Sequence, residues 1–173
     1  SSGEVGQGYR EVADPSVYVR FPLVDEPQTS LVAWTTTPWT LPSNQFAAVH
    51  PELTYVKALD PETGEHLIVA EALLPSLSEK LKRDLEVTST LSGTDLVGLR
   101  YEPPFDCYYR TTGNQQATTK AGELVHTAWT IRAADFVTTD SGTGVVHIAP
   151  AFGEVDYEVL IAEQERFEGG EGP

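Results

Sequence analysis

The chain has 173 residues, 40% of them hydrophobic, which is enough for one well-buried domain, and its 26 acidic against 11 basic residues leave a net charge of −15. That charge argues against autonomous binding to a nucleic-acid backbone, because phosphate affinity comes mainly from Lys and Arg. Cys107 is the single cysteine, so a disulfide framework is excluded, and its thiol is expected to be an inert, partly buried group in a reducing compartment. No apolar run approaches the roughly 20 residues that span a bilayer, and the start SSGEVGQGY lacks the regions of a signal peptide. The expectation is a soluble, cytoplasmic protein with no membrane partner.

Short β-like runs dominate. In chain order they fall at residues 17–24, 31–36, 46–49, 55–59, 66–69, 85–91, 123–131 and 145–148, bounded by Pro, Asn and Gly. Eight short strands with turn signals point to a barrel or sandwich rather than a βαβ sheet. The turn "DPETGE" at residues 60–65 is the clearest hairpin connection, because Pro61 and Gly64 supply its backbone angles. Leu73, Leu77 and Leu81 recur at helical spacing in residues 71–83, but Pro75 predicts a broken or short helix there. A better helix is expected at residues 154–167. The cluster Lys80, Lys82 and Arg83 is expected on a solvated helix face. The absence of methionine and the Gly/Glu-rich end "FEGGEGP" fit a piece of a larger protein, with residues 1–14 and 167–173 as connectors.

Two stretches carry chemistry. The first, "LVAWTTTPWTLPSN" at residues 31–44, takes a strand to about Thr36 and stops it with Pro38 and Pro42, so a stiff, extended loop with hydroxyls at a strand end is expected. The second, "DSGTGVVHIAPAFGEVD" at residues 140–156, is a turn, a strand and a tight connection into a helix. In that strand Val145 and His147 share one face, and Val146 and Ile148 the other. His147 is thus either a polar group facing a cavity or a satisfied core histidine. Asp156 is either a helix-start acid offsetting the macrodipole or an unpaired acceptor able to hold an ammonium ion.

The chain has no GxSxG elbow, Walker loop, GxGxxG fingerprint or HExxH helix, and His50, His66, His126 and His147 have no metal-ligand spacing. Threonine hydroxyls, one His and one Asp, with no metal, suit attack of water on an already activated ester. There the protein supplies position and hydrogen bonds.

"WTTTPWTLPSN" (34–44) together with "GTGVVHIAPAFGEVD" (142–156) resembles the editing (CP1) domain inserted into the catalytic core of isoleucyl-tRNA synthetase. The likeness runs from "DPSVYVRFPL" (14–23) through the helix after Asp156. Valyl and leucyl relatives usually carry Thr-Thr-Arg-Pro and then an acidic residue; Thr37 and Trp39 stand there in this chain, which favours the isoleucyl branch.

The resemblance implies a single editing domain over residues 1–173, mainly β with small helices (α+β), built on a six-stranded β-barrel. It implies hydrolysis of valyl-tRNA(Ile), and possible action on valyl-adenylate is left open. The expected partners are the 3′ aminoacylated end of tRNA(Ile), the valine moiety and the remainder of the parent synthetase. Thr37 and Asp156 are the implied catalytic residues: Thr37 bonds the ester or the attacking water, and Asp156 holds the α-ammonium. Thr35 and Thr36 would line the site, Trp39 and Asn44 would shape the loop and contact adenosine or substrate, and His147 would bound the side-chain pocket. No cofactor or metal is implied for this segment. The parent's His-Ile-Gly-His and Lys-Met-Ser-Lys-Ser signatures are not in the chain, so its ATP and metal sites would lie in other domains. The acidity departs from an RNA-binding expectation and places most tRNA affinity in the parent body. The alternatives are an editing domain of valyl or leucyl type and a noncatalytic module that binds aminoacylated ends.

Overall fold

The computed structural model describes residues 16–104, 115–152, 154–167 and 172–173. Cys107 and the connectors expected before residue 15 lie outside them.

Strands β1 (Val17–Pro22) and β2 (Thr29–Thr35) form an antiparallel pair. They are followed by a 3-10 helix at Pro38–Ser43, β3 (Phe46–Val49), β4 (Thr54–Leu59) and β5 (His66–Ala70). The β4–β5 hairpin turns as expected at residues 60–65: the Gly64 N–H donates to the Asp60 carbonyl at 2.8 Å, with Gly64 at φ +76°. Helix α1 (Leu74–Leu81) is short, and Pro75 sits in its first turn, where its missing N–H costs nothing, rather than breaking it. Strand β6 (Glu86–Ser92) and the one-turn helix α2 (Gly93–Leu96) follow. Arg83 departs from the expected solvated face, because its guanidinium bonds the buried Asp60 carboxylate at 2.5 Å.

The expected strand at 123–131 is two strands, β8 (Leu124–His126) and β9 (Thr130–Ala133), preceded by β7 (Gln116–Thr118). The break is at Trp129, held at φ +56° by two bonds: its N–H donates to the Gln45 carbonyl at 2.7 Å and its indole N–H to the Asn44 carbonyl at 2.9 Å. Those bonds offset the strain of a left-handed non-glycine residue. Strand β10 (Val145–Ile148), a 3-10 turn (Pro150–Phe152) and helix α3 (Glu154–Gln164) complete the described chain.

The strands form a five-stranded sheet in the order β1-β2-β5-β4-β6, a three-stranded sheet β10-β3-β9 and a β7-β8 pair. This is a mainly β fold with small helices, and no closed six-stranded barrel forms among the described residues. Within the sheets, β2–β5 and β3–β9 are parallel. β10 crosses against β2, and the Ala70 N–H at the end of β5 donates to the Thr143 carbonyl just before β10, joining the two larger sheets. Between them lies a core containing Phe21, Leu31, Tyr55, Leu67, Tyr101 and Ile131, all nearly or fully buried. Its effect is to fix the ends of β2 and β10 side by side.

Candidate functional site

The carboxyl end of β2, the 3-10 helix, β10 and the start of α3 enclose a cleft of about 430 Å3. Thr35, Thr36, Thr37, Trp39 and Thr40 line it from the first segment, and Val146, His147 and Asp156 from the second. Trp34 completes the wall, its ring packed on Gly142. A Cβ at Gly142 would lie 2.9 Å from that ring, and φ there is +78°, so only glycine fits.

Residues 38–43 differ from expectation: Pro38–Ser43 is a 3-10 helix, not an extended loop. A proline φ serves both conformations. The choice is made by Thr40, whose N–H and hydroxyl both donate to the Thr37 carbonyl, at 3.0 and 2.8 Å. Pro38 meanwhile occupies a first-turn position that needs no N–H. The helix turns the three threonines toward one opening. The Thr37 N–H donates to Thr35 Oγ1 at 3.0 Å, and Thr37 Oγ1 lies 3.3 Å from Thr35 Oγ1 and 3.4 Å from Thr40 Oγ1. Thr36 and Thr37 are exposed at the rim and Thr35 is buried beneath them. Trp39 is 66% exposed, a large indole on the lip of a cleft, where a flat ligand could stack.

Asn44 does not line this cleft. It is buried, and its amide makes three bonds inward: Nδ2 donates to the Phe46 carbonyl at 3.0 Å and meets His147 Nδ1 at 2.7 Å, while Oδ1 accepts from the Tyr101 hydroxyl at 2.5 Å. The polarity follows from chemistry. A carbonyl can only accept, so the group facing Phe46 is the NH2; His147 Nδ1 must then accept, and its proton is on Nε2. Nε2–H donates to Thr40 Oγ1 at 2.9 Å, and the Thr40 hydroxyl donates in turn to the Thr37 carbonyl.

The alternatives for His147 therefore merge. It is 6% exposed with both nitrogens bonded, and it is also a wall of the cleft. Burial pushes its pKa down to about 4. With one nitrogen protonated and the other occupied, the imidazole has no free lone pair and does not serve as a general base.

Of the two alternatives for Asp156, helix-start acid or unpaired acceptor, the second does not hold for both oxygens. Its Oδ2 accepts the Ala149 N–H at 2.8 Å, stapling the first turn of α3 to the end of β10. The other oxygen has no partner among the described residues. Burial raises its pKa, and the Ala149 bond opposes that rise. Among the described residues it is, besides His147, the only ionisable side chain lining the cleft. Among the described residues no three His, Cys, Asp or Glu side chains gather as a metal site, and no helix is long and apolar enough to cross a membrane.

Sequence reasoning missed Thr40, Trp34 and Tyr101. Thr40 and Trp34 lie inside the quoted motif and could have been assigned from it. Tyr101 had no signal, because nothing local connects it to residue 44.

The fold is that of the editing domains of class I aminoacyl-tRNA synthetases. It superposes on the crystal structure of GlLeuRS-CP1 with a TM-score of 0.62 at 18% identity, over 83% of this chain and 58% of the other. On the P. falciparum cytosolic leucyl-tRNA synthetase editing domain the TM-score is 0.55 at 15% identity, over 83% and 51%. In sequence the chain is 47% identical over 157 residues to isoleucine–tRNA ligase of Bdellovibrio bacteriovorus, 43% over 162 residues to that of Tetrahymena thermophila and 46% over 164 residues to the cytoplasmic enzyme of Caenorhabditis elegans. The chain is homologous to a segment of isoleucyl-tRNA synthetases: the alignments cover 91–94% of this chain and 13–14% of those relatives' length. No family model matches it.

Proposed function

We propose that the chain is a proofreading domain that hydrolyses valine from valyl-tRNA(Ile), acting within the cytoplasm as part of a parent synthetase. The need is physical. Valine and isoleucine differ by one methylene, worth only about 1–3 kcal/mol to a fitted pocket, a limit established on isoleucyl enzymes themselves rather than measured on this chain. A second site that admits the smaller side chain overcomes it.

One observation carries the reading: a cluster of threonine hydroxyls and a carboxylate with one oxygen unpartnered among the described residues share one cleft with a neutral imidazole in its wall. In that cleft Asp156 holds the α-ammonium, His147 bounds the space for the side chain, and Trp39 receives the terminal adenine. Thr37 positions the ester or the water. Water attacks the ester carbonyl, the bond to the ribose oxygen breaks, and that oxygen takes the proton, releasing valine and a free tRNA end. With His147 unable to accept a proton, the base is the neighbouring ribose hydroxyl or a backbone-held water, and the protein's part is orientation and electrostatics.

The test is turnover. The chain should release valine from valyl-tRNA(Ile), slowly because its acidity leaves most tRNA affinity to the parent body, and spare isoleucyl-tRNA(Ile). A structure with a nonhydrolysable valyl-adenosine analogue should place the ligand between the Thr35–Thr37 segment and Asp156. Binding without turnover would make this a module that only holds aminoacylated ends, and a preference for threonyl-tRNA would assign the valyl type of editing.

A further inference from the structure

We infer that Tyr101, remote in sequence from both segments of the cleft, is a positioning residue that sets the selectivity of the site through Asn44 and His147. This rests on the editing reading above for its functional consequence, but not for its geometry.

The backbone of Asn44 is pinned on both sides: its N–H donates to the Leu41 carbonyl at 3.0 Å and its carbonyl accepts the Trp129 indole N–H at 2.9 Å. The remaining freedom is rotation of the side-chain amide, whose two ends are nearly equal in size. Two groups select its orientation, the Phe46 carbonyl, which demands the NH2, and the Tyr101 hydroxyl, which donates to Oδ1 at 2.5 Å. Tyr101 is itself immovable. It is fully buried, its ring stacks on Phe21 of β1 with centroids 4.8 Å apart, and its N–H donates to the Trp129 carbonyl at 3.1 Å. Among the described residues Asn44 is its one side-chain bond, so this hydroxyl is spent on orienting the amide.

The chain of donors then runs one way: Tyr101 to Asn44, Asn44 to His147, His147 to Thr40, and Thr40 to the Thr37 carbonyl. It ends at the backbone of the residue proposed to hold the ester. A group in the core thus fixes both the imidazole wall that excludes the larger side chain and the turn that presents Thr37. Buried polar chains of this kind specify one arrangement only when every member is satisfied. Without the hydroxyl, Oδ1 is a buried acceptor with no donor. A half-turn of the amide would not relieve this, because it sets Oδ1 against the Phe46 carbonyl; the amide instead tilts off its bond to His147, and with Nδ1 released the imidazole no longer holds one tautomer and the wall no longer has one position.

Tyr101→Phe tests this while keeping the ring and its stack on Phe21. The probes are the 15N resonances of the His147 imidazole and the affinities of nonhydrolysable valyl- and isoleucyl-adenosine. The expected result is a His147 that no longer holds a single Nε2–H tautomer, with a several-fold narrowing of the preference for the valyl analogue and valyl affinity near wild type. Asn44→Asp is the second variant: replacing the NH2 by a carboxylate oxygen reverses the demand on Nδ1, so the imidazole should carry a proton there. A Tyr101→Phe protein with a lower melting temperature but a wild-type imidazole spectrum and analogue ratio would make Tyr101 a structural brace and overturn the inference, as would an unchanged spectrum in Asn44→Asp. If the wild-type chain binds neither analogue, the editing reading falls, and the imidazole spectrum alone decides whether Tyr101 positions His147.

Discussion

Replacing Asp156 in two ways separates its two tasks. In Asp156→Asn the amide oxygen still accepts the Ala149 N–H, now at 2.8 Å to Oδ2, but the negative charge is gone and an NH2 faces the ammonium. A hydrogen bond to a charged group contributes about 1.5–3 kcal/mol. At about 1.4 kcal/mol per tenfold, the valyl-adenosine analogue should bind roughly 10- to 150-fold more weakly, at near-constant melting temperature. Asp156→Ala also removes the bond to Ala149, whose N–H lies in a buried residue, and should cost a further 1–3 kcal/mol of stability by the usual penalty for an orphaned donor, about 2–12 °C in a chain of this size. The pH dependence has a definite sign. Burial raises the Asp156 pKa above 3.8, so ionisation weakens the folded state as pH rises, and lowering pH through that value relieves it. Analogue binding runs the other way: it needs the carboxylate, so it should fail on acidification at a higher pH than for an ordinary aspartate. On the alkaline side it should fail as the ligand's amine loses its proton. Calorimetry across pH reads both limbs. Unchanged affinity in Asp156→Asn, or an acid limb at or below the ordinary aspartate value, would refute the assignment.

His147→Ala should both lower stability by roughly 1–3 kcal/mol and raise isoleucyl relative to valyl hydrolysis, because the imidazole is a bonded interior group and a cleft wall at once; melting curves and paired deacylation rates check it. Glu163, 3% exposed, accepts from Arg132 at 3.0 Å and Arg166 at 2.8 Å, tying α3 to β9. Glu163→Ala strands the largely buried Arg132 guanidinium and should cost about 3–5 kcal/mol, read as loss of urea resistance, with Glu163→Gln milder. For Asp60, burial pushes the carboxyl pKa up, but the Glu62 N–H and the Arg83 guanidinium outweigh it and hold the pKa below 3.8. Its stabilisation is therefore present above the unfolded value of about 3.9 and lost as pH falls through the folded one, so Asp60→Asn should flatten the stability slope below about pH 4.

What the sequence made legible was local. The strands at 46–49, 55–59, 66–69 and 145–148 carry their own propensity, and the turn at 60–65 is dictated by Pro61, Gly64 and an Asp. What it hid was decided at a distance. Pro38 and Pro42 fit either an extended or a 3-10 backbone, and the choice rests on Thr40 reaching back to the Thr37 carbonyl. Trp129 has a strand former's side chain, yet bonds to Gln45 and Asn44 hold it left-handed. β7 is only "QAT", with no pattern to announce it. In the site, the motif residues Thr35, Thr36, Thr37, Trp39, His147 and Asp156 converge on one cleft, whereas Asn44 turns inward. A polar residue between a proline turn and a strand can face either way, and its bonds to the Phe46 carbonyl, His147 and the tyrosine across the core decide it.

The convergence itself depends on register. In the antiparallel pairing of β3 with β10, Phe46 lies opposite Ile148 and Ala47 opposite His147, and the Gln45 N–H donates to the Ile148 carbonyl at 2.9 Å. That ladder brings Asn44 within reach of His147 across more than half the chain. A slip by one residue would exchange the faces of β10, presenting valine where the imidazole stands and sending His147 to the other side. The turn before β10 guards against it. Gly142 is wedged on the Trp34 ring, and Gly144, at φ +77°, leaves no room for a Cβ beside Ala70 while its carbonyl accepts the Tyr55 hydroxyl at 2.5 Å. Two glycines outside the cleft lining thereby hold the register that sets His147 in its wall, and "GTG" before "VVHIAP" belongs to the site as much as the histidine does.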